Sequence, residues 1–170
     1  MKNLRTSLSA FALCAATGTA AMAEDLKIGM VVTLSGPPAA LGQQIVDGFQ
    51  LALDQKDGML GGQKTELVVE DDELKPDVAL LKATSLVERE EVDIVVGTVF
   101  SNMLQAIFKP VVASETFLIS PNAGPSTFAG KNCNPFFFAT SYQNNQNAEV
   151  SGMIANDQGF TNVFAMAPNY

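Results

Sequence analysis

The sequence predicts an α/β fold in which a parallel sheet is covered by helices on both faces. Short β-branched, apolar runs recur along the chain, stretches with helical apolar spacing lie between them, and Gly, Pro and Asp mark the joints. Strands that are apolar throughout, rather than alternating with polar residues, suit a sheet buried on both sides, with right-handed crossovers.

Residues 1–23 stand apart from that pattern. Lys2 and Arg5 precede an apolar stretch from Leu8 to about Ala16, and the small-residue run that follows ends in Ala21-Met22-Ala23. This is the form of a cleaved export signal, with the mature chain beginning at Glu24. The apolar part is too short to cross roughly 30 Å of hydrocarbon. Cys14 lacks the small residues that precede a lipid-modified cysteine, so a soluble exported protein is expected.

The elements follow in order. Leu26–Thr33 reads as a buried strand. Ser35-Gly36-Pro37-Pro38 can continue neither strand nor helix. From about Leu41 to Lys56, Ile45, Phe49, Ala52 and Leu53 recur on one helical face, and Asp47, Gln50 and Asp54 take the other. Asp57–Gly62 ends this helix with glycines. Thr65–Val69 is the second strand, closed by Glu70-Asp71-Asp72-Glu73. Pro76 and Asp77 suit the first turn of a helix running to about Arg89. Val92–Gly97 is the third strand. A helix is expected over about Asn102 to Ser114, bent or shortened by Pro110. Thr116–Ser120 and Phe136–Thr140 are the fourth and fifth extended segments. Tyr142–Asn147 reads as a polar break, Ala148–Gln158 as a helix, and Val163–Met166 as a further strand. The end at Tyr170 reads as a break inside a second domain, so a fragment is expected.

Composition excludes several functions. Removing Lys2 and Arg5 with the signal leaves 147 residues with 8 basic and 18 acidic side chains, a formal charge of −10. That balance disfavours nucleic acid and anionic membrane surfaces. With no histidine in the chain, neither a Ser-His-Asp nor a Cys-His arrangement can form, and the usual zinc sites are absent. No metal or cofactor is expected. Cys133 is the one cysteine left after processing; it is a buried small hydrophobe, a partner for a cysteine beyond Tyr170, or a reactive thiol.

In a parallel α/β sheet, ligands sit at the carboxyl ends of the strands. The turns to examine are therefore 35–42, 97–102 and 120–126. Gly36 and Gly42 do not make a dinucleotide fingerprint, and no phosphate-binding P-loop is present. What the turns offer is Ser35, Ser101 and Asn102 beside helix starts, where a hydroxyl either caps the helix or grips an anion together with backbone N–H groups. Phe100 is core filling or an apolar wall for a ligand. Ser120–Gly124 exposes backbone through small residues. Glu70–Glu73 are consecutive, cannot converge on a metal, and read as a solvated acidic turn. Such a cleft suits binding better than bond-breaking.

The order of these pieces carries a resemblance. The export signal precedes Leu26-Lys27-Ile28-Gly29, Leu34-Ser35-Gly36-Pro37, Gly42-Gln43-Gln44, Asp47-Gly48 and Ala52-Leu53. Val95-Val96-Gly97 with Ser101, Ile119-Ser120-Pro121-Asn122-Ala123, Phe136–Thr140 and Ala167-Pro168-Asn169-Tyr170 then follow. The whole mature chain resembles periplasmic substrate-binding proteins of the branched-chain amino-acid (Leu/Ile/Val-binding) type, which serve ABC importers.

The resemblance implies a type I periplasmic-binding fold, with two α/β lobes closing on a small ligand. Residues 24–140 would form the amino-terminal lobe, 141–147 the hinge crossing, and 148–170 the start of the second lobe. Ser101 would bind the ligand carboxylate, backbone around Val99 and from Asn122 through Ala123 to Gly124 its polar head, and Tyr170 would cover it. Gly124 stands where amino-acid binders place a threonine, so leucine-like amino acids and aromatic acids are both implied ligands, and an ABC permease the implied partner. A sensory ligand-binding domain of the same fold is the alternative.

Overall fold

A computed structural model describes residues 24–166; the expected export signal and Tyr170 lie outside them. Six strands form one sheet in the order β2-β3-β1-β4-β5-β6. β1 (Leu26–Val32) lies between β3 (Gln63–Asp71) and β4 (Ile94–Gly97), followed outward by β5 (Phe117–Ser120) and β6 (Phe137–Ala139). All of these pairings are parallel, with Val32 opposite Asp71, Val31 opposite Gly97 and Ser120 opposite Ala139. The five carboxyl ends therefore share one edge.

The two faces of β1 divide the core as strand alternation requires. Ile28, Met30 and Val32 join Val96 and Val99 under Ile45, Val46 and Phe49 of α1 (Ala39–Asp54). Val31, Val95 and Leu118 face the other way, against α2 (Pro76–Glu88) and α3 (Ser101–Ala113). On that side Phe108 of α3 stacks on Phe128 with ring centres 3.8 Å apart, and Phe137 of β6 meets Phe108 edge-on at 5.3 Å. Both faces are covered, as the apolar strands require.

Four local expectations change. The turn at Asp57–Gly62 contains a short strand, β2 (Met59–Leu60), which pairs antiparallel with β3. Gly61 and Gly62 have φ of 59° and 84°, the positive values that a two-residue hairpin turn needs. Pro110 does not end α3, which continues to Ala113; so close to the carboxyl end, its missing N–H removes only one of the last helical bonds.

The polar stretch before Ala148 is already helical. α4 runs over Asn144–Asp157, and Gln143 and Gln146 exchange hydrogen bonds with each other's backbone in a capping box. Glutamine in the capping position hid this start. Val163–Met166 forms no strand: Val163 and Phe164 are 70% and 90% exposed, and β-branched residues without a neighbouring strand have no ladder to join.

Cys133 is exposed, which removes the buried-hydrophobe reading. No helix among the described residues is long and apolar enough to cross a membrane.

The layering predicts how substitutions sort. Ile107→Ala, at a fully buried position of α3, should cost about 2–5 kcal/mol. Leu81→Ala, on the exposed face of α2 where Leu81 is 66% accessible, should change stability by less than about 0.5 kcal/mol. Urea denaturation of the two variants checks the assignment.

Candidate functional site

The loops that follow β1, β4, β5 and β6 lie along the shared carboxyl edge. Each is held by backbone that comes too close for a side chain. A Cβ on Gly42 would lie 1.9 Å from the Thr33 carbonyl oxygen, one on Gly97 2.3 Å from that of Val31, and one on Gly124 2.1 Å from that of Tyr142. Real Cβ atoms do not approach oxygen so closely, so the three glycines dock these loops directly on the sheet.

Between β4 and α3 the Gly97–Thr98 peptide is cis. The buried Thr98 hydroxyl donates to the Phe100 carbonyl at 2.7 Å. Phe100, not Ser101 or Asn102, is the N-cap residue, and no side chain caps this helix. Ser101 is the first helical residue. The N–H groups of the first turn have no intrahelical acceptor by helix geometry, and they carry the positive end of the dipole. Phe100 is half-buried and packs against both core layers.

The β5 loop is tied to the same structure. Asn122 donates from Nδ2 to the Val99 carbonyl at 2.7 Å, and the Ala123 N–H points at the Thr98 carbonyl at 3.4 Å. Ser120, fully buried, donates to the Ala123 carbonyl at 2.5 Å. Gly124 accepts from the Asn144 N–H at 2.8 Å, and the Asn144 side-chain Nδ2 donates to Ser101 Oγ at 2.8 Å. Val99, Asn122, Ala123 and Gly124 therefore lie together, with much of the polarity of these loops already spent on bonds within the chain. Gly124 also lines a concavity of about 290 Å³ with Pro125, Phe128, Phe137 and Ala139.

The acidic cluster is not the solvated turn expected from its sequence. Asp71 ends β3 beside the β1 loop. Its Oδ1 accepts from the N–H groups of Leu34 at 2.8 Å and Glu73 at 2.9 Å, and its Oδ2 accepts from the Ser35 hydroxyl. Burial pushes this carboxyl up, but the hydrogen bonds from the Ser35 hydroxyl and from the backbone of Leu34, Glu73 and Ser35 outweigh it and hold Asp71 below its ordinary value. Ser35 is thus neither a helix cap, since Pro38 occupies that position in α1, nor a free hydroxyl.

Asp72 is fully buried. Burial raises its pKa; the Leu74 N–H and the neighbouring Thr33 hydroxyl offset part of this, and Asp71 adds to it. Its Oδ1 accepts from Leu74 at 2.9 Å, whereas Oδ2 has no hydrogen-bond partner.

Thr98 and Asn144 were not among the residues singled out from sequence, Ser120 entered only as the start of a loop of small residues, and Asp71 only as part of an acidic turn. The carboxyl-edge rule, applied to β3 as well as to β1, β4 and β5, selects Asp71. Asn144 carries no such signal. Among the described residues no group of acidic or cysteine side chains could hold a metal ion.

The carboxyl edge of the parallel sheet thus carries an uncapped helix start beside a serine, and a carboxylate, Asp71, that is engaged by the β1 loop. Residues 25–170 match the family described as Periplasmic binding protein, and the chain belongs to that family. It is 24% identical over 167 residues to Leu/Ile/Val-binding protein homolog 6 of Brucella abortus, covering 98% of this chain and 42% of that protein. It is 31% identical over 147 residues to Leu/Ile/Val-binding protein homolog 3 of Brucella melitensis, covering 84% and 39%. A solute binding protein of an R. palustris ABC transporter, solved with benzoate, superposes with a TM-score of 0.76 at 33% identity, over 80% of this chain and 38% of that one. A branched-chain amino acid transporter substrate binding protein of Streptococcus pneumoniae, solved with isoleucine, gives 0.62 at 28% identity, over 71% and 34%. The fold is the type I periplasmic-binding fold, and the chain spans about 42% of the first of these relatives.

Two outcomes test the geometry. Gly124→Ala should displace the 141–143 segment and cost about 1–3 kcal/mol in urea unfolding. Asp72→Asn keeps the acceptor for Leu74 and removes the buried charge. An acid with a raised folded pKa contributes stability that is present below its unfolded value, near 3.8, and is lost as pH rises through the folded value. The variant should therefore gain Tm relative to the native chain at pH 7, and the gain should shrink at pH 3.5.

Proposed function

We propose that this chain is the solute-binding component of an ABC importer, exported to the periplasm, which holds a small carboxylate without altering it. On this reading residues 24–140 form the amino-terminal lobe, 141–147 the hinge crossing and 148–170 the start of the second lobe, with Tyr170 covering the ligand from that side. The partner is the importer's permease.

One observation carries the reading. The first turn of α3 offers N–H groups that no side chain caps, with the Ser101 hydroxyl on the same turn. This is a receptor for an anionic end that needs no charged residue. Phe100 supplies an adjacent apolar surface. The site is consistent with an aliphatic amino acid, as the names of the Leu/Ile/Val-binding relatives suggest, and with an aromatic acid, as in the benzoate complex. At Gly124 the close Tyr142 carbonyl leaves no space for a threonine unless the chain there moves, which favours the aromatic acid. No residue of the site suggests covalent or acid-base chemistry, and the reading is of a carrier, not an enzyme.

Calorimetry of the complete two-lobed protein with leucine, isoleucine, valine and benzoate tests this. At least one should bind, and at 100 times its dissociation constant should stabilise the fold by about 2.7 kcal/mol in a thermal shift. Ser101→Ala should weaken that ligand by about 1.5–3 kcal/mol; unchanged affinity would remove Ser101 from the site, and binding of none would remove the reading.

A further inference from the structure

Ser35 and Ser101, on neighbouring loops of the carboxyl edge, are held in opposite ways. A serine hydroxyl has one proton to donate and two lone pairs to accept with. Ser35 gives its proton to Asp71 Oδ2, while Leu34 and Glu73 N–H groups secure the same carboxylate through Oδ1. What Ser35 has left to offer a ligand is lone pairs, beside an anion. Ser101 is the converse: Asn144 Nδ2 donates to its oxygen at 2.8 Å, and among the described residues its own proton has no acceptor. What Ser101 has left is a donor, on the positive end of α3. β1 and β4 are adjacent and parallel, so the loops that carry Ser35 and Ser101 are neighbours on one edge.

We propose that Asp71 and Asn144 are positioning residues that set the hydroxyls of Ser35 and Ser101 to opposite hydrogen-bond polarity. The cleft then takes a carboxylate at the Ser101 end and a hydrogen-bond donor, hydroxyl or ammonium, at the Ser35 end. This deepens the solute-binding reading and rests on it. A ligand with a second anionic group at the Ser35 end meets lone pairs and a carboxylate, with no proton to receive it.

The first test needs no ligand. In Ser35→Ala, with Glu70, Asp72, Glu73 and Lys82 left in place around it, the Asp71 carboxyl followed by ¹³C NMR titration should rise toward its ordinary pKa. An unchanged titration would show that Ser35 does not donate to Asp71 and would overturn the proposal.

The second test is calorimetry of the complete two-lobed protein with 4-hydroxybenzoate, leucine and benzene-1,4-dicarboxylate. The native chain should favour a donor-bearing ligand over the dicarboxylate by about tenfold or more, the worth of a hydrogen bond involving a charged group. Asp71→Asn keeps Oδ1 for Leu34 and Glu73 but turns an amide N–H toward Ser35, which frees the serine proton; the preference should fall by about tenfold. A loss of affinity equal for all three ligands, with the preference intact, would reduce Asp71 to a structural support and overturn the proposal, as would a native chain that binds the dicarboxylate as tightly. Asn144→Ala should weaken every carboxylate roughly two- to tenfold, with the preference intact; no change would remove Asn144. Binding of none of the three by the native chain would sink both this proposal and the solute-binding reading, and the titration tells that outcome apart from failure of the Ser35–Asp71 pair.

Discussion

The structure depends on backbone meeting backbone at the carboxyl edge of the sheet. At Gly42, Gly97 and Gly124 the next atom beyond the missing side chain is a carbonyl oxygen of another segment, between 1.9 and 2.3 Å from where a Cβ would stand. Contacts this close fix α1, the β4–α3 loop and the β5 loop relative to one another without any charged pair. They also explain how short loops can expose main-chain groups and stay ordered: docking against the sheet replaces the support that larger side chains would give. Polar bonds then finish the arrangement, with Asn122 bridging to Val99 and Asn144 to both Gly124 and Ser101.

Much of the fold was legible because its signals are local. Apolar strands such as Ile94–Gly97 announce burial on both faces, and Pro76 with Asp77 marks the start of α2. The candidate site was legible to the extent that it follows from topology: once the strands are parallel, the turns after β1, β4 and β5 must share an edge. Features set by tertiary contact were not legible. Asp72 carries no sequence mark of burial, and a four-residue acidic run reads as solvated until Thr33 and Leu74 are seen against it. Gly124 reads as a lost threonine until Tyr142 is seen behind it. Val163–Met166 has the composition of a strand, but composition cannot supply the neighbour a strand needs.

Adjacent aspartates take opposite roles for the same reason. Where β3 ends, Asp71 lies against the β1 loop, where three N–H groups and a hydroxyl stabilise its charge, and Asp72, just past the strand, is buried where the Leu74 N–H and the Thr33 hydroxyl cannot fully offset the loss of water. The pair therefore gives the loop an anchor at the cost of a buried acid beside it. On the proposed reading the anchor is the member that matters to the ligand, because it holds the Ser35 hydroxyl.

On the proposed reading, selectivity without charged ligand-binding residues would follow from this economy. A cleft lined by arginine would grip any anion strongly and discriminate little between them. On the proposed reading the attraction for a carboxylate would come from N–H dipoles and one hydroxyl, each a modest contribution, so the orientation of a single serine proton would be a large fraction of the total. Asp71 and Asn144, neither of which needs to touch the ligand, can then decide which end of it enters where. Fixing that orientation before the ligand arrives lowers the cost of ordering the site on binding, and it does so through bonds that the folded chain already makes.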